Sequence, residues 1–306
     1  MRWSSAVLSV TLGAALLTAP PAAAVEPVLL INQDFADPDV LRTGDGFTAF
    51  ATGGQAGRIP VARAPSATGP WTVGGDALAD PPRWADGDGR FWAPDVSSRG
   101  GDFLMYFAAQ PAGTDRLCIG AALSAEAAGP YHPVGDAPLV CVPEDHGDID
   151  PESFVDADGR RYLLYKSGTV PSGIWLQEVT ADGLGLAGQR RLILRADRPG
   201  ENGVVEAPAM VRVPRGYVLL YSGDRFDSTG YHTGYATAPA PAGPFTKAAE
   251  PLLTTAEVGG AVDGPGGADV VDGRIYFHGW LNGQRIARGV YSLPVRFEPG
   301  GRPVIG

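Results

Sequence analysis

Five short runs of aromatic and aliphatic residues recur along the chain: FTAFATG from Phe47, DFLMYFAA from Asp102, RRYLLYKS from Arg160, YVLLYSG from Tyr217 and RIYFHGW from Arg274. Each follows a turn glycine, and these glycines, Gly46, Gly101, Gly159, Gly216 and Gly273, stand 55, 58, 57 and 57 residues apart. Short apolar runs bounded on both sides by turn residues predict half-buried strands of hairpins. A proline opens the stretch before each glycine, and Pro38, Pro94, Pro151, Pro208 and Pro265 are separated by 56, 57, 57 and 57 residues. A third marker, ARAPSATGPWT from Ala62, ALSAEAAGPYH from Ala122 and ATAPAPAGPFT from Ala236, reads as a third strand and the turn before a fourth. A fixed period of several tens of residues built from short strands is the signature of radially repeated sheets. The pattern predicts an all-β chain folded as a five-bladed β-propeller.

Residues 1–24 lie outside the repeat. Arg2, an apolar run from Ala6 to Leu17 and the small residues Ala22, Ala23 and Ala24 read as a secretory signal peptide cleaved near Ala24. Residues 25–306 then form a single propeller domain, since five units of this period fill them. The expected product is secreted, monomeric and free of any membrane once the signal is removed. Apolar residues at 44% supply a core, and 43 Gly with 28 Pro suit a chain of many tight turns. A net charge of −10 argues against nucleic acid as a partner, because phosphates would be repelled. Cys118 and Cys141, the only cysteines, lie on segments that read as adjacent strands of the second unit. They are either a disulfide or two buried thiols.

In a propeller the innermost strands run along the axis, so equivalent positions of the units converge at one mouth. Asp37 and Asp150 directly precede prolines, and Glu206 stands two residues before one, in ADPDV, IDPES and EAPAM. Proline at a strand start needs no ladder donor and biases the residue before it towards extended geometry. Taken singly, each acid reads as a turn former or solvated loop charge. Together, three carboxylates in one small volume repel one another and raise at least one pKa, as an acid/base site requires. Cleavage of a glycosidic bond needs two carboxyl groups in opposite protonation states.

The strings ADPDV at Ala36, WAPDV at Trp92, IDPESFVDADGRRYLLY at Ile149 and VVEAPAM at Val204 resemble the signature segments of glycoside hydrolase family 43, the five-bladed arabinofuranosidases, xylosidases and arabinanases. The resemblance implies Asp37 as general base, Glu206 as general acid, Asp150 as the residue that tunes and orients the acid, and inversion at the anomeric carbon. Asp150, one blade from Glu206, is expected to keep it protonated by its charge. The implied substrate is a plant-type oligo- or polysaccharide containing pentoses, with arabinofuranosides favoured and no nucleotide or redox cofactor. Much of the family carries a fifth-blade histidine near the axis, often with a central ion. Here Gly266 and Gly267 stand there, so no metal site is expected; Asp263 and Asp269 are weak candidates. His278, in YFHGW, reads as a hydrogen-bonded core residue rather than a ligand.

Sugar rings present apolar C–H faces, which makes Trp92 and Phe35 the expected stacking residues. Asp95, in WAPDV, is grouped with them as substrate-binding. Arg288 resembles a basic residue of the family's last blade, and either meets substrate and a site acid or forms a surface ion pair. Trp84, Trp175 and Trp280 are expected in blade packing. A non-catalytic sugar-binding propeller would share this architecture but has no use for three convergent acids, which add desolvation cost. An invertase-like reading is disfavoured because Ile149, not Arg, precedes Asp150 and Ala207, not Cys, follows Glu206. Phosphate-loop, H-E-x-x-H, C-x-x-C and G-x-S-x-G motifs are absent.

Overall fold

The computed structural model describes residues 1, 3, 26–54, 57–87 and 90–306, so the signal-peptide expectation lies outside the described residues. Strands are gathered into five antiparallel sheets in the meander order of propeller blades. The innermost strands are Asp39–Thr43, Phe91–Arg99, Asp148–Val155, Val205–Val213 and Asp263–Val271, for blades 1 to 5. These five neighbour one another in a closed ring, with blade 5 against blade 1. The ring is completed from the chain's beginning: Val28–Ile31 pairs with Arg288–Phe297 as an outer strand of blade 5. Pro303–Ile305 pairs further along the same strand.

The repeated apolar runs form the middle strands, and they are buried on both faces rather than one. In Arg161–Ser167 the side chains of Tyr162 and Leu164 enter the cluster shared with blade 4. Leu163 and Tyr165 enter the cluster shared with blade 2. Among the described residues five such hydrophobic clusters occur, one at each blade interface. This explains why the runs lack polar alternation, as strands covered on both sides do. Each wholly buried leucine contributes about 1.5–3 kcal/mol, so the ring is held by its interfaces. The disulfide alternative holds for the cysteines: Cys118 and Cys141 are bonded within blade 2.

Each innermost strand carries a bulge at its entry. Asp37, Ala93, Asp150, Ala207 and Gly267 all have left-handed φ, between 42° and 58°. In blades 2 to 4 the pairing register slips there, between Trp92 and Asp95, Ile149 and Glu152, and Glu206 and Ala209. In blade 5 the corresponding slip falls between Gly266 and Asp269, after an earlier slip between Asp263 and Gly266. The fifth proline is therefore out of structural register: Ala268, not Pro265, stands where Pro38, Pro94, Pro151 and Pro208 stand. Bulges re-aim side chains next to sites. Here they turn Asp37 and Asp150 towards the mouth.

Candidate active site

Asp37, Asp150 and Glu206 line one cleft of about 250 Å³, together with Asp34, Thr52, Trp92, Phe226 and Arg288. Three blades thus bring the three predicted acids together. Below them the axis narrows to a space of about 40 Å³ lined by Asp39, Asp95, Glu152 and Asp269.

Asp37 is surrounded by donors. Thr52 Oγ1 donates to its Oδ2 at 2.6 Å, Arg288 Nη1 lies 3.5 Å from Oδ1, and His278 Nδ1 lies 3.2 Å from Oδ1. Burial by itself would raise its pKa, but Arg288, His278 and Thr52 outweigh burial and hold it well below the usual carboxylate range. His278 Nδ1 also lies 3.0 Å from the Asp37 amide nitrogen, and Arg288 Nη1 lies 3.4 Å from His278 Nε2.

Lys166 Nζ donates to Glu206 Oε2 at 2.7 Å and Tyr231 Oη to Oε1 at 2.8 Å. Burial works against the Lys166 charge, yet Glu206 and Asp150 outweigh it and raise the ammonium pKa. Asp150 Oδ2 accepts the amide of Ala207 at 3.0 Å, which fixes the backbone beside Glu206. The upward shift falls on Asp150 itself: burial, then the charge of Glu206, push it up to about 7. Lys166 adds a cation to the Asp150–Glu206 pair.

The cleft walls differ from expectation in two places. Phe35 is wholly buried in the cluster between blades 5 and 1 and offers no face to a sugar. Asp95 is 6% exposed and lies below the cleft, where its Oδ1 accepts the Ser153 amide at 2.9 Å. It has a counterpart in three other blades: Asp39 accepts from Val96, Glu152 from Met210 and Asp269 from Val40. These acids staple four of the five blade junctions; at the junction of blades 4 and 5 the matching residue is Ala209. Burial first, and mutual repulsion among these acids, push Asp95 up to about 7. Burial raises Asp269 to about 6. Asp39 and Glu152 are raised well above the ordinary range for the same two reasons.

Trp92 borders the cleft, with the Arg90 guanidinium 5.2 Å above its ring. Opposite stands a wall the sequence did not reveal. Phe226 stacks on Trp280 at 6.3 Å, and the Arg288 guanidinium lies 5.0 Å from the Phe226 ring. Trp280 Nε1 donates to the Phe226 carbonyl at 3.1 Å, so Trp280 braces the rim rather than packing blades. Arg288 meets a site acid, not a surface partner.

Thr52, Lys166 and His278 were missed as site residues, although the repeat contains them. With Ala108 and Ser222 they occupy matching positions of the middle strands, spaced 56, 58, 56 and 56 residues apart. Ala36 is bonded to Thr52, and Trp92, Ile149, Glu206 and Gly266 pair with the other four. Phase within the repeat was the available signal. Among the described residues no three His, Cys, Asp or Glu side chains are arranged to hold a metal ion. Where a histidine at 267 would reach the axis, the ring of His278 is already present, and Asp263 is taken by Arg285.

Carboxyl groups of contrasting charge gathered at the mouth of such a propeller are the equipment of a glycosidic-bond hydrolase. The chain belongs to glycosyl hydrolases family 43, whose family model matches residues 26–291. It is 28% identical over 265 residues to the extracellular endo-alpha-(1->5)-L-arabinanase 1 of Bacillus subtilis, covering 80% of this chain and 79% of that one. A probable arabinan endo-1,5-alpha-L-arabinosidase A of Aspergillus flavus is 29% identical over 192 residues, which span 61% of this chain and 57% of that protein. Among solved structures, a thermostable family-43 glycoside hydrolase superposes with a TM-score of 0.79 at 25% identity, covering 92% of this chain and 96% of that one.

Proposed function

We propose that this protein is an exported hydrolase of α-L-arabinofuranosyl bonds in arabinan-type polysaccharide, acting with inversion. The observation that carries the reading is the environment of the three acids: Asp37 is clamped by Arg288, His278 and Thr52, and Glu206 shares its site with Asp150. Asp37 stays ionised, the state a base needs before it takes a proton from water. Glu206 delivers the proton to the leaving oxygen. Burial and the charge of Glu206 push Asp150 up to about 7, so the site holds a proton up to neutral pH. Asp150 also holds the Ala207 amide, and so orients the acid beside it.

Arabinan is favoured because the relatives that match over much of this chain are named for it. Cleavage within the chain is favoured because the catalytic cleft is not a closed pocket. It adjoins a cleft of about 330 Å³ at Asp34 and Thr52 and another of about 410 Å³ at Gly53 and Trp92. Together these have room for several sugar units. Export follows from the reading of residues 1–24 and from the extracellular relative.

The test is incubation of the purified enzyme with debranched arabinan, with products resolved by chromatography and their first-formed anomers read by NMR. Oligosaccharides of inverted configuration are expected. Release of arabinose alone would make this an exo-acting arabinofuranosidase, and no hydrolysis of any pentoside would remove the reading altogether.

A further inference from the structure

The two glycines of GPGG seat two aromatic rings. A Cβ on Gly267 would lie 2.6 Å from His278 Nδ1, and one on Gly266 would collide with the Tyr231 ring. Those rings stack with an offset, their centroids 5.8 Å apart and their planes 7° from parallel. Tyr231 is 2% exposed and His278 1%, so neither ring has a free surface for a sugar. Each nevertheless ends on a site acid. His278 Nδ1 donates to Asp37 Oδ1 at 3.2 Å, and Tyr231 donates to Glu206 at 2.8 Å. A continuous path of hydrogen bond, ring stack and hydrogen bond therefore runs from Asp37 to Glu206, from blade 1 through blades 5 and 4.

We propose that Tyr231 and His278 form one positioning unit that fixes the placement of Asp37 relative to Glu206, with Gly266 and Gly267 required to seat it. The proposal rests on the reading of Asp37 as base and Glu206 as acid. An inverting pair must leave room for one water between base and sugar, about 6.5–9.5 Å between carboxyls. A stack of two rigid rings holds such a gap better than flexible side chains, because neither ring can move without losing its packing. Proton bookkeeping agrees. Burial and the nearby Arg288 guanidinium both favour a neutral imidazole, and because Arg288 Nη1 lies 3.4 Å from Nε2 and can only donate, the proton sits on Nδ1 and is given to Asp37 Oδ1 at 3.2 Å. The other charged groups facing this unit are Asp37 on the His278 side and Glu206, with Lys166 and Asp150 behind it, on the Tyr231 side.

The test compares H278A, H278N, Y231F and G267A with D37N and E206Q, on arabinan and on an activated aryl arabinofuranoside. H278A strips the Asp37 carboxylate of one donor and is expected to lower kcat about 10²-fold, the scale of a misplaced reacting group, with KM within about threefold. Its acid-side limb in the pH profile should move to higher pH, since a contact that lowers the Asp37 pKa is lost. H278N places an amide N–H near Nδ1 and should recover much of the loss. G267A, which displaces the ring, should resemble H278A. Y231F keeps the stack but drops the bond to Glu206, and should lose about tenfold more on arabinan than on the activated substrate, whose leaving group needs less protonation. Thermal melts report folding; if H278A does not fold, H278N and Y231F carry the same two readouts. Inactive D37N and E206Q beside H278 and Y231 variants with unaltered pH limbs and leaving-group dependence would overturn the positioning unit alone. Active D37N and E206Q would overturn the catalytic reading, and the unit with it.

Discussion

Asparagine in place of Asp95 should make this protein more stable at pH 8 and no more stable at pH 4. Asp95 is 6% exposed and shares the axis with Asp39, Glu152 and Asp269, and its folded pKa is pushed up to about 7 by burial and by Asp269. An unfolded aspartate titrates near ~3.9. Between those values the native state holds a proton that the unfolded chain has released, so stability falls as pH rises through the window. A gap of three units corresponds to about 4 kcal/mol for an isolated group, and sharing of protons among the neighbouring acids reduces this to roughly 2–3 kcal/mol. Asparagine keeps a carbonyl for the Ser153 amide and offers its N–H to Glu152, with which Asp95 already shares a hydrogen bond. For a domain of this size the gain at pH 8 is roughly 3–5 °C in Tm. Calorimetric melts of both proteins from pH 4 to pH 8 measure it. A D95N protein that is less stable at pH 8, or equally stabilised at every pH, would refute the buried-acid reasoning. A raised KM for arabinan with unchanged Tm would return Asp95 to the substrate.

Other outcomes follow from the cleft and the blades. E206Q should lower kcat on arabinan by about 10³-fold while sparing ligand binding, as read by calorimetry, and should lose less on a good leaving group. D150N should remove the ionisation near 7 from the pH dependence of kcat/KM, because burial and Glu206 place it on Asp150. F226A removes one face of the aromatic wall and should raise KM about tenfold, the worth of one such stack, with kcat little changed. Replacing Cys118 and Cys141 together by alanine opens a loop of sequence separation 23 and should cost about 3 kcal/mol in a denaturant titration under oxidising conditions.

Turn glycines, apolar runs and prolines at a constant period made the fivefold ring legible before any coordinate, because each blade is a local meander whose strands are neighbours in sequence. The acids at the mouth were legible for the same reason: Asp37 and Asp150 sit at one phase of that repeat, and Glu206 one residue earlier. Pro265 kept the sequence beat yet lies three residues from its structural equivalent, since extra residues in a bulged strand change register without changing the local pattern. Whether an aromatic or acid beside the motif faces the cleft is also a matter of register. Phe35 and Asp95 fell on the buried side, whereas Trp92 reached the rim. Partners that cross between blades were decided by ring closure alone. Lys166 meets Glu206 from blade 3, His278 meets Asp37 from blade 5, and Phe226 arrives on a loop. Charge and position of each acid depend on such neighbours far away in sequence, so the chain's linear order specifies which groups gather, and only tertiary packing decides which of them keeps its proton.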